Sequence, residues 1–512
     1  MKLTKKALIS VWDKTGVVEI GDFLVKNNFD IISTGGTEII LKENGIPVTP
    51  VEELTNFSEI MNGRVKTLHP KIFGGILVDK SNESHMAGLE SINGYPFDVV
   101  IVNLYPFKEK AIDGNLDDKN AIEFIDIGGP SMLRAAAKNF NSITVLSNPT
   151  QYDDFISNYN SDKDECSLET RKRFALEVFK MTSSYDQMIY SYLSQSKEDS
   201  FMPKNISINV SIMEELRYGE NPHQKAGFYS NEGKFLWDQH QGKKLSYNNY
   251  ADIETAYNIV NEFDDNACCI IKHANPCGFA KAKTSLLSYK KAVESDPTSY
   301  FGGIVGFNKE IDQDVAIELN KSFLECIIAP KISEEALEIF KTKKNLRVIS
   351  AKKNITKDLY SLKSVAGGYL LQEKDFLVEN FKDVKVVTNK KPSDDQLKLF
   401  SIGMRLIKYV KSNAIILINN DQLIGLGAGQ TSRIDSVKLA IDKALENNFD
   451  LNGSILASDA FFPFTDGLEF AFKSGIDAIV QPGGSINDSK IIDFANKQNM
   501  IMCFTGIRHF YH

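Results

Sequence analysis

The most chemically pointed feature among the 512 residues is Lys272-His273, which ends the apolar run Cys268-Cys269-Ile270-Ile271 and precedes Ala274-Asn275-Pro276-Cys277-Gly278. A partly buried His can act as general base, and an adjacent Lys can steady developing negative charge or tune the imidazole. The pair is expected to leave a strand and enter a Pro-Gly turn. A surface Lys beside a packed His is the bland alternative, and the strand-end position favours chemistry. Pro276-Cys277 also invites a zinc-deaminase reading, which requires His-x-Glu and Pro-Cys-x-x-Cys. The chain continues Gly278-Phe279-Ala280 without the second Cys, and it contains no His-x-Glu.

Other stretches suit an anionic substrate. Ser33-Thr34-Gly35-Gly36-Thr37 follows a strand and opens a helix, so its backbone N–H groups, hydroxyls and positive helix end fit a phosphate. Asn62-Gly63-Arg64-Val65-Lys66-Thr67-Leu68-His69-Pro70 sets two cations and a hydroxyl in one loop. Asn103-Leu104-Tyr105-Pro106-Phe107 lies at the C-terminal end of a buried strand, where open α/β sheets bind ligands. Asp126 just precedes a helix, and Lys138 is expected about two turns into it. Arg, Lys, Tyr and Asp converging on a crevice would serve proton transfer on such a substrate.

Further along, Arg217-Tyr218-Gly219-Glu220-Asn221-Pro222-His223-Gln224 is a dense polar loop. Gly425-Leu426-Gly427-Ala428-Gly429-Gln430-Thr431-Ser432-Arg433 is Gly-rich after a strand but does not match Gly-x-Gly-x-x-Gly. Phe461, Phe462 and Phe464 stand beside Asp459 and Asp466, which reads as core packing or as an aromatic wall for a flat heterocycle.

The elements that must position these residues follow from hydrophobic periodicity. Strand–helix alternation over Ala7–Val11, Val17–Lys26 (with Thr15 as cap), Ile31-Ile32, Glu38–Glu43, Val99–Leu104, Ser131–Phe140 and Ile143–Leu146 predicts a mainly parallel α/β sheet. That domain is expected to span 1–147. Residues 148–204 read as a helical connector centred on Glu169–Leu193, its apolar stripe packing on a domain or on a second subunit. Residues 205–512 return to α/β in two halves, with a boundary near 365–390 and no convincing residue-level repeat between them.

Composition is ordinary for a globular chain, 42% hydrophobic and 25% charged with net charge −8. The acidity is even: 15 Lys+Arg against 19 Asp+Glu in 1–147, and 44 against 48 in the remainder. Neither part is a basic nucleic-acid module. Six scattered cysteines make no disulfide framework, and no apolar run approaches the ~20 residues of a membrane span. A cytoplasmic protein is expected.

Taken in order, these motifs resemble the bifunctional AICAR transformylase/IMP cyclohydrolase family of purine biosynthesis. The resemblance runs from about Ala7 to His512 and is weakest in the connector. It implies an α/β protein with an N-terminal methylglyoxal-synthase-like parallel-sheet domain for cyclohydrolase and a C-terminal transformylase of two cytidine-deaminase-like subdomains. The implied substrates are AICAR and FAICAR, the product IMP and the co-substrate 10-formyltetrahydrofolate, in a homodimer with transformylase sites at the subunit interface. The family's cyclisation residues match Lys66, Tyr105, Asp126 and Lys138. Its nucleotide pocket matches Ser33, Thr34, Gly35, Gly36, Thr37, Arg64 and Thr67, with Ser10, Lys14 and Asn103 as additions. Lys272 and His273 match its formyl-transfer pair. Arg217, Tyr218, His223, Asn249, Asn413, Arg433, Phe461, Asp466 and Arg508 match its substrate or folate positions. No catalytic metal is expected, and the resemblance leaves room for a structural monovalent cation. The chain departs from the family in its less basic end, Arg508-His509-Phe510-Tyr511-His512, and in Glu325, where some relatives carry Asp. Two competing readings are a nucleotide-sensing role for residues 1–147 and the zinc deaminase disfavoured above.

Overall fold

A computed structural model describes residues 4–61, 64–160, 165–194, 202, 205–230, 233, 235–352, 360–382 and 384–512. Asn62 and Gly63 of the basic loop lie outside the described residues. The chain forms two compact units, Met1–Asn209 and Val210–His512.

In the first unit, β1 (Lys5–Ser10), β2 (Phe29–Ser33), β3 (Val48–Pro50), β4 (Val99–Val102) and β5 (Thr144–Leu146) form a sheet. Its order is β3-β2-β1-β4-β5, with every pair parallel. The β-branched run of β4 is wholly buried. Each such side chain contributes about 1.5–3 kcal/mol by leaving water, which is why the sheet must be covered on both faces.

Helices α1 (Val17–Lys26), α2 (Gly35–Glu43) and α3 (Gly128–Lys138) connect or flank the strands. Thr15 does not cap α1. Gly16 takes the cap position at φ +68°, while the Thr15 hydroxyl donates to Asp13 at 2.7 Å. That local side-chain bond competes with capping. Lys138 is the last residue of α3, three turns along rather than two. The helix of the connector segment, α4 (Leu168–Leu193), packs on α3 and β5 through a stripe that includes Phe174, Val178, Thr182 and Tyr185.

The second unit is built on a twelve-stranded sheet. Its first half contains β6 (Trp237–Gln241), α5 (Tyr247–Asn261), β7 (Asn266–Lys272), β8 (Asn275–Ala282), α6 (Ser285–Ser295), β9 (Ile304–Phe307), β10 (Cys326–Ala329) and β11 (Arg347–Ala351). The second contains β12 (Lys385–Val386), α7 (Asp394–Ile407), β13 (Ile415–Asn419), β14 (Gln422–Gly427), α8 (Arg433–Glu446), β15 (Ile455–Ser458), α9 (Asp466–Lys473), β16 (Ala478–Gln481) and β17 (Ile501–Phe504). The strand order β6-β11-β10-β9-β7-β8-β14-β13-β15-β16-β17-β12 reads the same from either end. In each half a hairpin, an antiparallel neighbour and two parallel strands follow one another, closed by an antiparallel edge strand.

This symmetry exposes a repeat that the sequence reading missed. Ser246 and Ser393, Asn266 and Asn413, and Gly278 and Gly425 are each 147 residues apart, and the helix caps Thr284 and Ser432 are 148 apart. Both serines close capping boxes at the starts of α5 and α7. Both glycines let a helix approach, since a Cβ would meet the Ala292 carbonyl oxygen at 2.1 Å in one half and that of Ala440 at 2.2 Å in the other. The remaining matches are apolar for apolar, so the repeat survives in burial rather than in identity. One core runs under α5 and α7 across both halves, whereas the opposite face holds a separate core for each half.

The structure also corrects the expected Pro-Gly turn. The β7–β8 turn is His273-Ala274, and Pro276 and Gly278 lie within β8. Pro276 fits there because the register shifts beside its partner Ile271, at a bulge where a missing N–H is tolerated.

Candidate active sites

In the first unit the polar cluster gathers at the C-terminal ends of the strands. The turn after β2 places Gly35 at φ +44°, and a Cβ there would come within 3.2 Å of the Lys66 Nζ. Ser10 and Thr34 share a hydrogen bond of 2.9 Å beside it. The Ser33 hydroxyl donates to the Ile9 carbonyl at 2.7 Å and that of Thr37 to the Val11 carbonyl at 3.0 Å, so both are built into the turn itself. Lys14 donates to the Val11 and Trp12 carbonyls, and its burial holds its pKa below the ordinary value. The Asn103 carboxamide accepts the Trp12 N–H at 2.6 Å and the Asp13 N–H at 3.0 Å, fixing the loop after β1. The Thr67 hydroxyl lies beside Gly128, at the positive N-terminal end of α3.

The titratable groups here influence one another. Burial works to lower the pKa of Lys66, yet its bond to Glu59 at 2.9 Å and the nearby Glu52 leave it raised, so the ammonium persists. Tyr105 is raised by burial and by Asp126, with Lys66 opposing. Burial also raises Asp126, although its carboxylate accepts the Tyr105 and Gly129 N–H groups. The Trp12 ring packs against Tyr105 with centroids 4.9 Å apart.

Two sequence-identified residues stand away from this cluster. Arg64 is exposed and paired with Glu123. Lys138 is exposed at the far end of α3, about 15 Å along the helix from Gly128. One contributor was missed: the Tyr185 hydroxyl of α4 accepts the Asp126 N–H at 2.8 Å and donates to the Phe124 carbonyl at 3.1 Å. Its only signal in the sequence was the apolar stripe of the connector helix.

In the second unit His273 is exposed at the tip of the β7–β8 hairpin, with φ +52°, followed by Ala274 at φ +60°. The Lys272 ammonium donates to the Phe301 carbonyl at 2.6 Å. Beneath the turn, Asp252 accepts the Ala274 N–H at 2.8 Å, and burial raises its pKa. Asn249 donates at 3.2 Å to Glu325, which also pairs with Arg347 at 3.4 Å.

The second half supplies a neighbouring cluster, connected through Asn275, whose carboxamide accepts the Lys411 N–H at 3.4 Å. Buried Arg433 donates to Ser458 at 2.7 Å, to Asn413 at 2.8 Å and to the fully buried Asp459. Asp459 in turn accepts from Ser412 at 2.6 Å. Of the three phenylalanines, Phe462 is core, while Phe461 and Phe464 are exposed. Asp466 opens α9 and accepts the Gly467 N–H at 2.7 Å.

Arg217, over the Tyr218 ring at 5.5 Å, and His223 sit on a separate loop. That loop reaches α5 through the Asn248-to-Glu220 bond of 3.3 Å. Arg508 lies over the Phe510 ring near the chain's end. Among the described residues, no three His, Cys, Asp or Glu side chains gather as a group that could hold a metal ion, and no helix is long and apolar enough to cross a membrane.

Comparison with known proteins matches residues 136–443 to the AICARFT/IMPCHase bienzyme family and residues 16–131 to the MGS-like domain. Proteins described as "Bifunctional purine biosynthesis protein PurH" resemble the chain along its whole length. That of Caldicellulosiruptor saccharolyticus is 47% identical, that of Acetivibrio thermocellus 46% and that of Enterococcus faecalis 45%; each alignment covers 100% of both chains.

Proposed function

The chain belongs to the AICARFT/IMPCHase bienzyme family and catalyses its two steps, formyl transfer from a formyl-folate to AICAR and cyclisation of FAICAR to IMP; on that premise we propose how its residues divide the work. The observation that carries the division is one polar cluster in each unit, each at strand ends and each centred on residues suited to its own step.

Formyl transfer is assigned to the second unit, with 10-formyltetrahydrofolate as donor. The 5-amino nitrogen of AICAR bonds to the formyl carbon, His273 removes the proton from that nitrogen, and the C–N bond to folate breaks as the folate nitrogen takes up a proton and leaves as tetrahydrofolate. An aromatic amine is a weak nucleophile, so removing its proton in the transition state and steadying the oxyanion with Lys272 are the effective contributions. Arg217, Tyr218, His223, Asn249, Asn413, Arg433, Phe461, Asp466 and Arg508 are assigned to substrate and folate binding. Arg433 and Asn413 are pre-set for this by the Asp459–Ser458 network.

Ring closure is assigned to the first unit. The carboxamide nitrogen of FAICAR attacks the formyl carbon, and water leaves. Lys66 and the Tyr105 phenol, both protonated at neutral pH, polarise the formyl oxygen. Asp126, made a stronger base by burial, takes the carboxamide proton. Holding the two ends together supplies much of the remainder. Thr34, Gly35, Gly36, Lys14 and Thr67 form the phosphate cradle, Ser10, Ser33, Thr37 and Asn103 shape it, and Arg64 and Lys138, which stand away from the cluster, are given no part in it.

A homodimer is proposed with this reading, supported by the exposed apolar hairpin of Tyr360–Val365 and Gly368–Glu373, which presents Tyr369 and Leu370. Six unpaired cysteines suit a cytoplasmic setting. A structural monovalent cation takes no part in the assignment.

Separate assays of the two steps test the division. His273→Ala is expected to stop formyl transfer while FAICAR still cyclises, and Lys66→Ala to give the reverse. Loss of both steps in either well-folded variant would refute it.

A further inference from the structure

We propose that Asp252 is a positioning residue for formyl transfer, its carboxylate holding the His273-Ala274 turn in the left-handed geometry that aims His273. The proposal rests on the assignment of His273 to that step.

The turn is of the hairpin type that needs positive φ at both central residues, a geometry that favours Asn, Asp and Gly. Here His273 and Ala274 occupy it at φ +52° and +60°. Ala has no side-chain bond to offset the close approach of its Cβ to the backbone, so this conformation persists only where the surroundings over-determine it. The twin hairpin of the second half takes the same geometry with Asn420 at φ +49° and Asp421 at φ +60°, residues that enter it readily.

The surroundings differ in the required way. Asp252 on α5 accepts the Ala274 N–H at 2.8 Å, and its carboxylate also lies within electrostatic reach of His273 and of Glu325. From the other side, the Asn275 carboxamide donates to the His273 carbonyl at 3.1 Å. The residue 147 positions after Asp252 is Leu399, which packs against the apolar core beneath α7. An acid therefore supports the strained turn, while the corresponding position of the other half holds an alkyl chain that packs into the core. Burying a carboxylate is unfavourable unless a bond repays it, and the Ala274 N–H is that bond.

Four full-length variants test this, with both steps assayed separately. Asp252→Ala is expected to lower kcat for formyl transfer about tenfold with KM for AICAR little changed, while ring closure stays at the wild-type rate. Asp252→Asn keeps an oxygen acceptor and should stay within about threefold of wild type. Adding Ala274→Gly to Asp252→Ala should restore much of the rate, because Gly adopts φ +60° without a Cβ. Wild-type transfer by Asp252→Ala overturns the proposal, and so does the absence of glycine rescue. Equal loss in the Ala and Asn variants also overturns it, by making the charge rather than the hydrogen bond the agent. His273→Ala separates the two levels: if it still transfers formyl, the parent assignment fails instead.

Discussion

Residues 273 and 420 occupy the same place in two copies of one hairpin, yet the first is a histidine and the second an asparagine. Even the register shift recurs, between Ile270 and Ile271 in one copy and between Leu417 and Ile418 in the other. The difference extends to the supports. Asp252 corresponds in position to Leu399, buried Arg433 to Ser285 (each the first residue of its helix), and Asp459 after β15 to Asn308 after β9. Asn308 donates to the Phe263 and Asp265 carbonyls and only closes a loop. The frame is thus specified twice by the same buried pattern, and the chemistry is written on it once by a few polar exchanges. Because the hairpins run antiparallel through β8 and β14, the His273-Ala274 turn of the first half lies beside the Arg433 cluster of the second.

The largest test of that asymmetry is Arg433→Leu, which removes the buried cation found only at this position of the second half, the first half carrying Ser285 there. Asp459 would be left buried without its partner, a loss of about 3–5 kcal/mol. Chemical denaturation should show it, and adding Asp459→Asn should recover part of the loss. If Arg433→Leu is as stable as wild type, the pair is not the structural difference between the halves.

Next comes the chain's end, which fastens only the second half. His509 is buried, its ring nitrogens bonded to Asp375 at 2.5 Å and Glu379 at 2.7 Å, and its backbone N–H donates to the Asp459 carbonyl. Burial alone would lower its pKa, but the two carboxylates raise it to about 9, with Lys408 close to Asp375. A pKa raised on folding gives stability that is full below about pH 6.5 and fades as pH rises through about 9. His509→Gln is therefore expected to lower the melting temperature most near pH 6, by an amount corresponding to about 2–3 kcal/mol. The gap to wild type should narrow by pH 10, and an unchanged gap at pH 10 would show that the charge is not the clamp.

Gly278→Ala and Gly425→Ala probe the likeness instead. Each new methyl would collide with a helix carbonyl, and each should destabilise by about 1–3 kcal/mol, by similar amounts. A large difference between the twins would mean that the helices α6 and α8 are not equivalently seated. The smallest expected effect is that of Asn420→Ala, about 1 kcal/mol from forcing Ala into the left-handed region, with formyl transfer unchanged. Loss of transfer in that variant would break the claim that only one turn is chemical.

Much of this was legible in the residues themselves. Strand and helix positions followed from periodicity, because a covered parallel strand such as Val99–Val102 is unmistakably apolar. Lys66, Tyr105, Asp126, Lys272 and His273 were legible because their types are chemical and their motifs compact. Tyr185 was not, since a tyrosine on an amphipathic helix looks like core until its hydroxyl is seen to hold Asp126 from 59 residues away. Asp252 was not, because nothing in its neighbours announces a turn 22 residues on. The internal repeat stayed hidden because burial constrains volume and polarity rather than identity, leaving only Asn-Ala, Ile and Gly in common between the two hairpins.

The sequence by itself thus determined the elements, the chemical groups and the family to which they belong, all properties of short stretches and their order. Only the tertiary structure decided that the turn is His273-Ala274 rather than Pro-Gly, that this turn lies beside the Arg433 cluster of the other half, and that Lys138 stands apart from Asp126. Those outcomes depend on long-range pairing and on which buried polar group finds a partner, and local residue order carries neither.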